Sequence, residues 1–325
     1  MHPVKEWTVD SPLAMDYDKT IASIGRQFKE TVVRFHRRGA VVAVSGGVDS
    51  AVCCALAAAA LGSQRVLALL LPERESSPDS ERLALQVVET LGVPYERHDI
   101  TPALESFGCY ERRDSAIREV IPGYGPGWRN MLTIAGGLVG QFNHFYLVAA
   151  GPNGERVKYR LGLKEYLQIV AATNFKQRTR KNVEYYHADR LNYVVVGTPN
   201  KLEYDQGFFV KNGDGAADIK PIAHLYKTQV YGLAQHMGLP KEIVDSTPTS
   251  DTYSLPQEQE AFYFALPYGD LDKALSYIEH GRSAAELAVA LGTDELTAAR
   301  IYADMAAKRR STRYLHEAPV ILQDA

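Results

Sequence analysis

Residues 40–60 have the sequence AVVAVSGGVDSAVCCALAAAA, in which a polar turn separates two apolar runs. The first run, residues 40–44, is short and rich in β-branched residues, which is typical of a strand buried in a parallel sheet. The second run, residues 51–60, is mostly alanine, which is typical of a helix that packs closely against such a strand. The stretch therefore predicts a strand, a tight turn and a helix in direct succession.

The turn between these two runs has the composition of a phosphate-binding loop. Ser45, Gly46 and Gly47 carry little bulk, so successive backbone N–H groups can converge on an anion. We expect Ser50 to be the N-cap residue of the helix, whose positive dipole end would then point at the same anion. Asp49 adds a carboxylate, which beside phosphates is a suitable ligand for Mg²⁺. The spacing differs from the Walker A and dinucleotide-binding glycine motifs.

The composition of the whole chain is that of an ordinary globular protein. Its 325 residues are 46% hydrophobic and 23% charged, and the formal net charge is −3. This charge does not favour a nucleic acid or an anionic membrane as the main partner. No stretch has the pattern of a secretory signal or of a membrane-spanning helix. The three cysteines form neither a disulfide framework nor a metal-binding quartet, which favours a reducing cytoplasm.

Apolar runs alternate with helical patterns along most of the chain. We predict strands at residues 65–72, 95–100 and 191–198, and helices at residues 80–91 and 166–186. This alternation predicts an α/β fold with a doubly wound parallel sheet and flanking helices, formed as one domain over the whole chain. Ligands of such sheets bind at the carboxyl ends of the strands, where the phosphate-binding loop also lies.

Two segments depart from the alternating pattern. Residues 102–163 are predicted to be an insertion, in which residues 144–150 and 155–161 flank a Gly-Pro-Asn-Gly turn and predict a β-hairpin. Residues 279–325 are predicted to form a C-terminal helical element with a tail. His98, a single histidine in a predicted strand, is predicted to be structural rather than catalytic.

Residues 207–218 form a glycine-rich segment, GFFVKNGDGAAD, which is too long and polar to be a simple connection. Together with other motifs, it follows the order found in NAD synthetases of the ammonia-dependent type, which the chain resembles over residues 24–100 and 166–278. The other motifs are SGGVDS at 45–50, NFKQRTR at 174–180, GT at 197–198, NKLE at 200–203, LYK at 225–227 and PTSD at 248–251. Such enzymes belong to the N-type ATP pyrophosphatase superfamily, with an adenine nucleotide alpha hydrolase-like fold.

The resemblance implies a ligase that adenylates the nicotinate carboxylate of deamido-NAD with ATP, releases pyrophosphate and forms the amide with ammonia. Adenylation is required because ammonia cannot displace oxygen from a free carboxylate. The resemblance also implies Mg²⁺ and a homodimer. Because residues 1–39 are too few for a glutaminase domain, we expect the ammonia to be free or to come from another chain.

The resemblance further implies a role for individual residues. It implies that ATP is bound by Ser45, Gly46, Gly47, Val48, Asp49, Ser50, Thr198, Lys227 and Thr249, with Lys227 stabilising the transferred phosphoryl group. Asp49 and Glu203 would hold Mg²⁺. Arg178, Lys211 and Asp218 would bind deamido-NAD, and Asp214 would capture ammonium or take its proton.

The chain departs from the family pattern in two places. The family has a C-terminal His-Lys-Arg segment, and the corresponding residues here are Tyr314, Leu315 and His316, with a basic run just upstream at residues 308–310. The inserted residues 102–163 have no counterpart in the family pattern. These differences concern the acceptor more than the activation by ATP.

Two other functions are compatible with parts of the sequence. A related adenylating amide ligase could use the same ATP site with a different carboxylic acid. A DNA-binding regulator is the alternative from another class, because residues 283–300 have helix-turn-helix spacing. The same helix, glycine turn and helix is equally typical of a C-terminal packing element.

Overall fold

The computed structural model describes residues 13–135, 144–246, 253–255 and 266–322. The strands are β1 (Ala40–Ala43), β2 (Val66–Leu70), β3 (Tyr95–Arg97), β4 (Arg129–Ala135), β5 (His144–Ala150), β6 (Arg156–Arg160) and β7 (Val194–Val196). The helices are α1 (Tyr17–Arg34), α2 (Val48–Leu61), α3 (Pro78–Leu91), α4 (Thr101–Ser106), α5 (Cys109–Arg118), α6 (Leu163–Leu191), α7 (Lys201–Gln206), α8 (Lys227–His236), α9 (Lys241–Val244), α10 (Tyr268–Glu279), α11 (Ala284–Leu291) and α12 (Glu295–His316).

The main sheet is parallel and has the strand order β3-β2-β1-β7. From β1 the chain proceeds outward to β2 and β3, and it later returns to place β7 on the other side of β1. The strand order therefore reverses between β1 and β7, and a crevice for ligands opens at the carboxyl ends of strands around such a point. The predicted α/β fold with a parallel sheet is confirmed.

Helices cover both faces of this sheet. Val42 and its neighbours on one face pack against α1, α2 and α8, and Val41 and Val195 on the other face pack against α5 and α6. Side chains of successive strand residues point to opposite faces, so a strand buried on both sides must be apolar throughout. This is why residues 40–44 form a continuous apolar run.

Helix α2 lies close to the sheet because its side chains are small. It begins after the N-cap residue Gly47, and residues such as Ala51, Cys53 and Cys54 are buried. The Cys53 thiol lies 3.8 Å from the carbonyl oxygen of Gly197, just beyond β7. All three cysteines are free and buried, so they serve as small core residues.

The segment predicted to be an insertion contains a second, antiparallel sheet with the order β4-β5-β6. The predicted hairpin corresponds to β5 and β6, and β4 was not predicted. Its sequence RNMLTIA has no strict alternation of polar and apolar residues, and β5 pairs with it over seven residues. Although a glycine- and proline-rich loop at residues 122–127 precedes it, a run without period-2 alternation is difficult to recognise as a strand from sequence.

Helix α6 has 29 residues and is longer at both ends than the predicted helix at residues 166–186. It connects the second sheet to β7 and ends at Asn192, whose φ of 56° is the left-handed conformation that terminates many helices.

The C-terminal helices α10, α11 and α12 share an apolar cluster that includes Leu275, Leu287 and Ile301. The helix pair at residues 283–300 therefore has a packing role in this fold. Among the residues described, none of the helices combines the length and apolarity needed to cross a membrane.

Candidate active site

The loop after β1 turns sharply into α2. Gly46 has a φ of 85°, and a Cβ atom added there would overlap the carbonyl oxygen of Ser80. Glycine is thus required at this position for both conformation and space. The first backbone N–H groups of α2 have no acceptor within the helix, and they lie at its positive dipole end. The loop is therefore suited to bind an anion.

The hydroxyl of Ser50 stabilises the loop from inside the first turn of α2. Its Oγ accepts from the backbone N–H of Ser45 at 3.2 Å and donates to the carbonyl oxygen of Gly47 at 2.9 Å. The prediction that Ser50 is the N-cap residue was wrong, because Gly47 takes that position and lacks a side chain to cap the helix. The serine hydroxyl instead closes the loop by bonding backward in the chain.

Asp49, Glu203 and Lys227 meet beside this loop. Lys227 is the first residue of α8 and is 1% exposed, and its Nζ forms an ion pair with Asp49 Oδ2. Glu203, from α7, is 8% exposed. The structure thus brings together three residues that are far apart in the chain and that were predicted to bind metal and ATP.

Asn200 organises the two carboxylates and was not assigned a role from sequence. Its side chain donates to Asp49 Oδ1 at 3.2 Å and accepts from the backbone N–H of Glu203 at 3.1 Å. The Glu203 carboxylate accepts in turn from the backbone N–H of Asn200, which completes a capping box at the start of α7. An asparagine three residues before a glutamate is the sequence signal for this arrangement.

The charges of this cluster influence each other. Burial and the nearby charge of Asp49 raise the pKa of Glu203 to about 8. Burial alone would lower the pKa of Lys227, but the charges of Asp49 and Glu203 raise it above its usual value. The buried Glu203 and the partly buried Asp49 share a single lysine, so the cluster carries an excess of negative charge when both carboxyls are ionised. This donor set suits a hard divalent cation, which prefers carboxylate oxygens.

The cluster lies in a cavity of about 700 Å³ at the carboxyl ends of the parallel strands. Every loop residue from Ser45 to Ser50 lines the cavity, and the other wall residues come from several helices, strands and loops. These walls include Pro72, Ser76, Ser80, Phe145, Tyr166, Asn174, Gln177, Arg180, Lys181, Glu184, Thr198, Glu203, Phe209, Asp214, Lys227, Tyr253, Lys308, Thr312, Tyr314 and Leu315.

Two further predicted residues, Thr198 and Asp214, are in the cavity wall. Asp214 Oδ1 accepts from the backbone N–H of Val210 at 2.8 Å, and burial raises the pKa of its carboxyl. The Asp214 carboxyl therefore holds its proton more strongly than an exposed aspartate does. Thr249, predicted to contact ATP, lies outside the described residues.

Arg178, Lys211 and Asp218, predicted to bind the dinucleotide, do not line this cavity among the residues described. Lys211 Nζ donates to the carbonyl oxygens of Tyr314 and Glu317 at the end of α12, at 2.7 and 2.9 Å. Arg178 Nε donates to the carbonyl oxygen of Lys211 at 3.3 Å, and Asp218 Oδ2 accepts from the backbone N–H of Val195 at 2.7 Å. These contacts hold α12 and β7, which both contribute to the cavity wall.

Two pairs of wall residues were not predicted. Lys181 Nζ and Glu184 Oε2 form an ion pair of 2.7 Å with side chains only 6% and 5% exposed, three residues apart on α6. Phe145 of β5 stacks on Tyr166 of α6 with ring centroids 3.8 Å apart. The i, i+3 charge spacing was a usable signal for the first pair. The second pair depends on where the inserted sheet packs, which local sequence does not specify.

Comparison with known proteins places this geometry in context. The family model described as NAD synthase matches residues 20–120 and 156–314. Within the predicted insertion at residues 102–163, only residues 121–155 are unmatched, and they contain β4 and β5. A protein of Rhizobium meliloti (strain 1021), named NH(3)-dependent NAD(+) synthetase, is 52% identical over 311 residues, covering 95% of this chain and 92% of the relative. A protein of Thermotoga maritima with the same name is 37% identical over 258 residues, covering 77% and 84%.

Solved structures with lower sequence identity share the fold. The NH3-dependent NAD synthetase from Campylobacter jejuni has a TM-score of 0.62 at 22% identity, with 95% of this chain and all of that chain (100%) covered. An NMN synthetase from Francisella tularensis has a TM-score of 0.66 at 20% identity, with 96% and 100% covered. At these identities the similarity concerns the fold alone.

Proposed function

The chain belongs to the NAD synthase family, and from this premise we propose that it converts deamido-NAD, ATP and ammonia into NAD, AMP and pyrophosphate. The observation that carries the proposal is the cluster of Asp49, Glu203 and Lys227 at the positive end of α2. A phosphate-binding loop, two carboxylates and a buried lysine in one cavity are the groups that this reaction requires. Relatives with the name NH(3)-dependent NAD(+) synthetase support the choice of substrates.

The first step forms an acyl adenylate. A carboxylate oxygen of deamido-NAD attacks the α-phosphorus of ATP, the bond from that phosphorus to the bridging oxygen breaks, and pyrophosphate leaves. Backbone N–H groups of residues 45–50 bind the leaving phosphates, and the dipole of α2 stabilises their charge. Lys227, held by Asp49, stabilises the negative charge that develops on the transferred phosphoryl group.

Mg²⁺ completes this part of the proposal. Asp49 and Glu203 would hold it, since their side chains lie together and Asn200 orients both of them. When bound, the ion supplies neutralisation of the phosphate charge. The raised pKa of Glu203 is consistent with this assignment, because it reflects burial of the carboxyl group first and the nearby charge of Asp49 second.

The second step forms the amide. Ammonia attacks the acyl carbon, the bond to the AMP oxygen breaks, and the nitrogen loses one proton as AMP leaves. Asp214 is proposed to take that proton, and its raised pKa and its position in the cavity wall support this role. Direct binding of the dinucleotide by Arg178, Lys211 and Asp218 stays a prediction. Their contacts support an indirect role in holding the cavity wall.

The expected homodimer and cytoplasmic location are also proposals. Leu163 and Leu167 lie one turn apart at the start of α6 and are 70% and 53% exposed, and such an apolar patch favours self-association. Light scattering after size-exclusion chromatography would measure the mass directly, and the variant Leu163→Glu should lower it to that of one chain. A monomeric wild-type protein at micromolar concentration would contradict the dimer.

The function is tested by product analysis. Purified protein with ATP, Mg²⁺, ammonium and deamido-NAD should yield NAD, AMP and pyrophosphate in equal amounts. A panel of other carboxylic acids tests the alternative amide ligase, which would release pyrophosphate with one of these acids but not with deamido-NAD. Asp49→Asn is the inactive control. Formation of ADP in place of AMP would refute the mechanism.

A further inference from the structure

Glu96, His98 and His187 form a cluster at the edge of the main sheet, outside the cavity described above. Glu96 belongs to the edge strand β3, and His98 follows it by two residues, so both side chains lie on the same side of the extended chain. The backbone N–H of His98 donates to the carbonyl oxygen of Leu70, which keeps it in line with the sheet. His187 approaches from α6. Two separate elements therefore deliver the three groups to one point.

The ligand atoms are arranged as the corners of a coordination site. Nε2 of His98 lies 3.0 Å from Nε2 of His187 and 3.3 Å from Glu96 Oε2. One ligand atom from each residue lies within 4.8 Å of the others. Two ligands bound tetrahedrally to zinc at about 2.0 Å are separated by roughly 3.3 Å. The cluster thus needs only small adjustments to hold a metal ion.

The cluster is open to solvent on one side only. His187 is 1% exposed, so its ring is shielded from solvent. The side chains of His98 and Glu96 are 38% and 41% exposed. Water can therefore reach the cluster and supply a fourth ligand, as in sites with three protein ligands.

Arg190 is the charged group that opposes a cation here. Its guanidinium donates to His187 Nδ1 at 2.8 and 3.0 Å and pairs with Glu96 Oε1. Because arginine can only donate, the proton of His187 is on Nε2 and points at His98. A metal ion would replace that proton, which would move to Nδ1 while the half-exposed Arg190 turns away from the ring. Arg190 would continue to bind Glu96 Oε1 and leave Oε2 free for the metal.

We propose that Glu96, His98 and His187 bind a divalent transition-metal ion of the zinc class. Two imidazoles and a carboxylate are a typical ligand set for such ions, whereas Mg²⁺ prefers oxygen ligands. The bound ion cross-links the edge strand β3 to α6 and stabilises the folded chain in proportion to its affinity. This site is independent of the Mg²⁺ proposed for Asp49 and Glu203, and its failure would leave the proposed function unchanged.

The test uses the full chain, free of affinity tags and stripped of metal. Binding of Zn²⁺ is measured by competition with a chromophoric chelator, and Co²⁺ is added to record the visible absorption of its coordination. We expect one equivalent of Zn²⁺ to bind with micromolar affinity. His98→Gln, at a half-exposed position, should weaken binding by at least roughly 10-fold to 100-fold, because loss of a group that only supports a ligand already costs that much. His236→Gln is the matched control, because His236 also contacts a carboxylate, Asp18, and its side chain is also 37% exposed.

Arg190→Gln should change the Zn²⁺ affinity in the opposite direction to His98→Gln. Removing a positive charge next to a divalent ion should tighten Zn²⁺ binding roughly tenfold, if solvent screens most of the repulsion. A structural hydrogen-bond cluster predicts no such gain. The proposal is overturned if the wild-type chain binds no stoichiometric Zn²⁺, if His98→Gln binds as tightly as wild type, or if Arg190→Gln weakens binding. His187→Gln, at a buried position, is interpreted only with a circular dichroism spectrum that matches the wild type.

Discussion

Replacing Lys227 by methionine should have opposite effects on metal binding and on catalysis. In the free protein this lysine is the cation next to two carboxylates, and its Nζ is paired with Asp49. Methionine has a similar length and no charge. Without the lysine, the cation that offsets the charges of Asp49 and of ionised Glu203 is lost. A divalent cation should therefore bind more tightly to the variant than to the wild type.

The size of the effect follows from burial. Breaking a buried ion pair by removing one partner destabilises a protein by about 3–5 kcal/mol. We expect about 3 kcal/mol here, at the lower end, because the Asp49 side chain is 17% exposed and can be solvated from the cavity. Loss of a preorganised positive charge at the reacting phosphoryl group should lower the turnover rate roughly 10²-fold to 10³-fold.

Two assays separate these effects. Thermal unfolding with and without Mg²⁺ should show a larger stabilisation by the ion in Lys227→Met than in wild type, while the rate of pyrophosphate release falls. Lys201→Met is the control, because Lys201 pairs with Glu279 outside the cavity. The reasoning is refuted if Mg²⁺ stabilises both proteins equally, or if the variant keeps a rate within a few fold of wild type.

Three further predictions concern the loop, the carboxylate pair and the inserted sheet. Gly46→Ala should lower kcat/KM for ATP roughly 10²-fold, because the added Cβ would overlap the Ser80 carbonyl oxygen at a φ of 85°. Gly123→Ala is the control and should have normal kinetics, because its added Cβ would have no neighbouring atom within 4 Å. Burial and a neighbouring carboxylate raise the pKa of Glu203 from 4.5 to about 8. The unfolded chain releases this proton while the folded chain retains it, so Glu203 should lower the stability of the metal-free protein as the pH rises through this range. Glu203→Gln should make the fall in thermal stability between pH 5 and 8 shallower, and an unchanged slope would count against the shift. Phe145→Ala should raise the KM of deamido-NAD more than that of ATP, since it removes one ring of a stacked pair in a cavity wall that the predicted insertion supplies. Equal changes in both KM values would argue against a role of Phe145 in binding the acceptor substrate.

The parts of the site that could be predicted are those whose function depends on residues adjacent in the chain. The phosphate-binding loop requires glycine at a left-handed position and a helix start directly after it, and both requirements are visible in six consecutive residues. Asp49 was predicted from the loop itself, whereas Glu203 and Lys227 were predicted only because each occurs inside a motif of a known family. Their meeting point results from the order of β1 and β7 in the sheet, which no local pattern contains.

The parts that were missed depend on packing between distant segments. The position of Lys211 is an example: substrate binding by this residue stays a prediction, and its Nζ donates to the carbonyl oxygens of Tyr314 and Glu317 at the end of α12, more than 100 residues away in the chain. The wall pair of Lys181 and Glu184 appears in sequence as two ordinary charges on a helix. Only the position of α6 against the sheet shows that they are buried.

The length of α6 has a mechanical consequence. Its 29 residues correspond to a rod of roughly 44 Å, and residues 163–191 include neither proline nor glycine. A rod without such a weak point transmits a tilt at one end to the other instead of bending. Any force on the inserted sheet, which precedes the start of α6, is therefore delivered to the wall around Arg180 and Glu184. The added sheet and the catalytic cavity should accordingly open to hydrogen exchange as one cooperative unit.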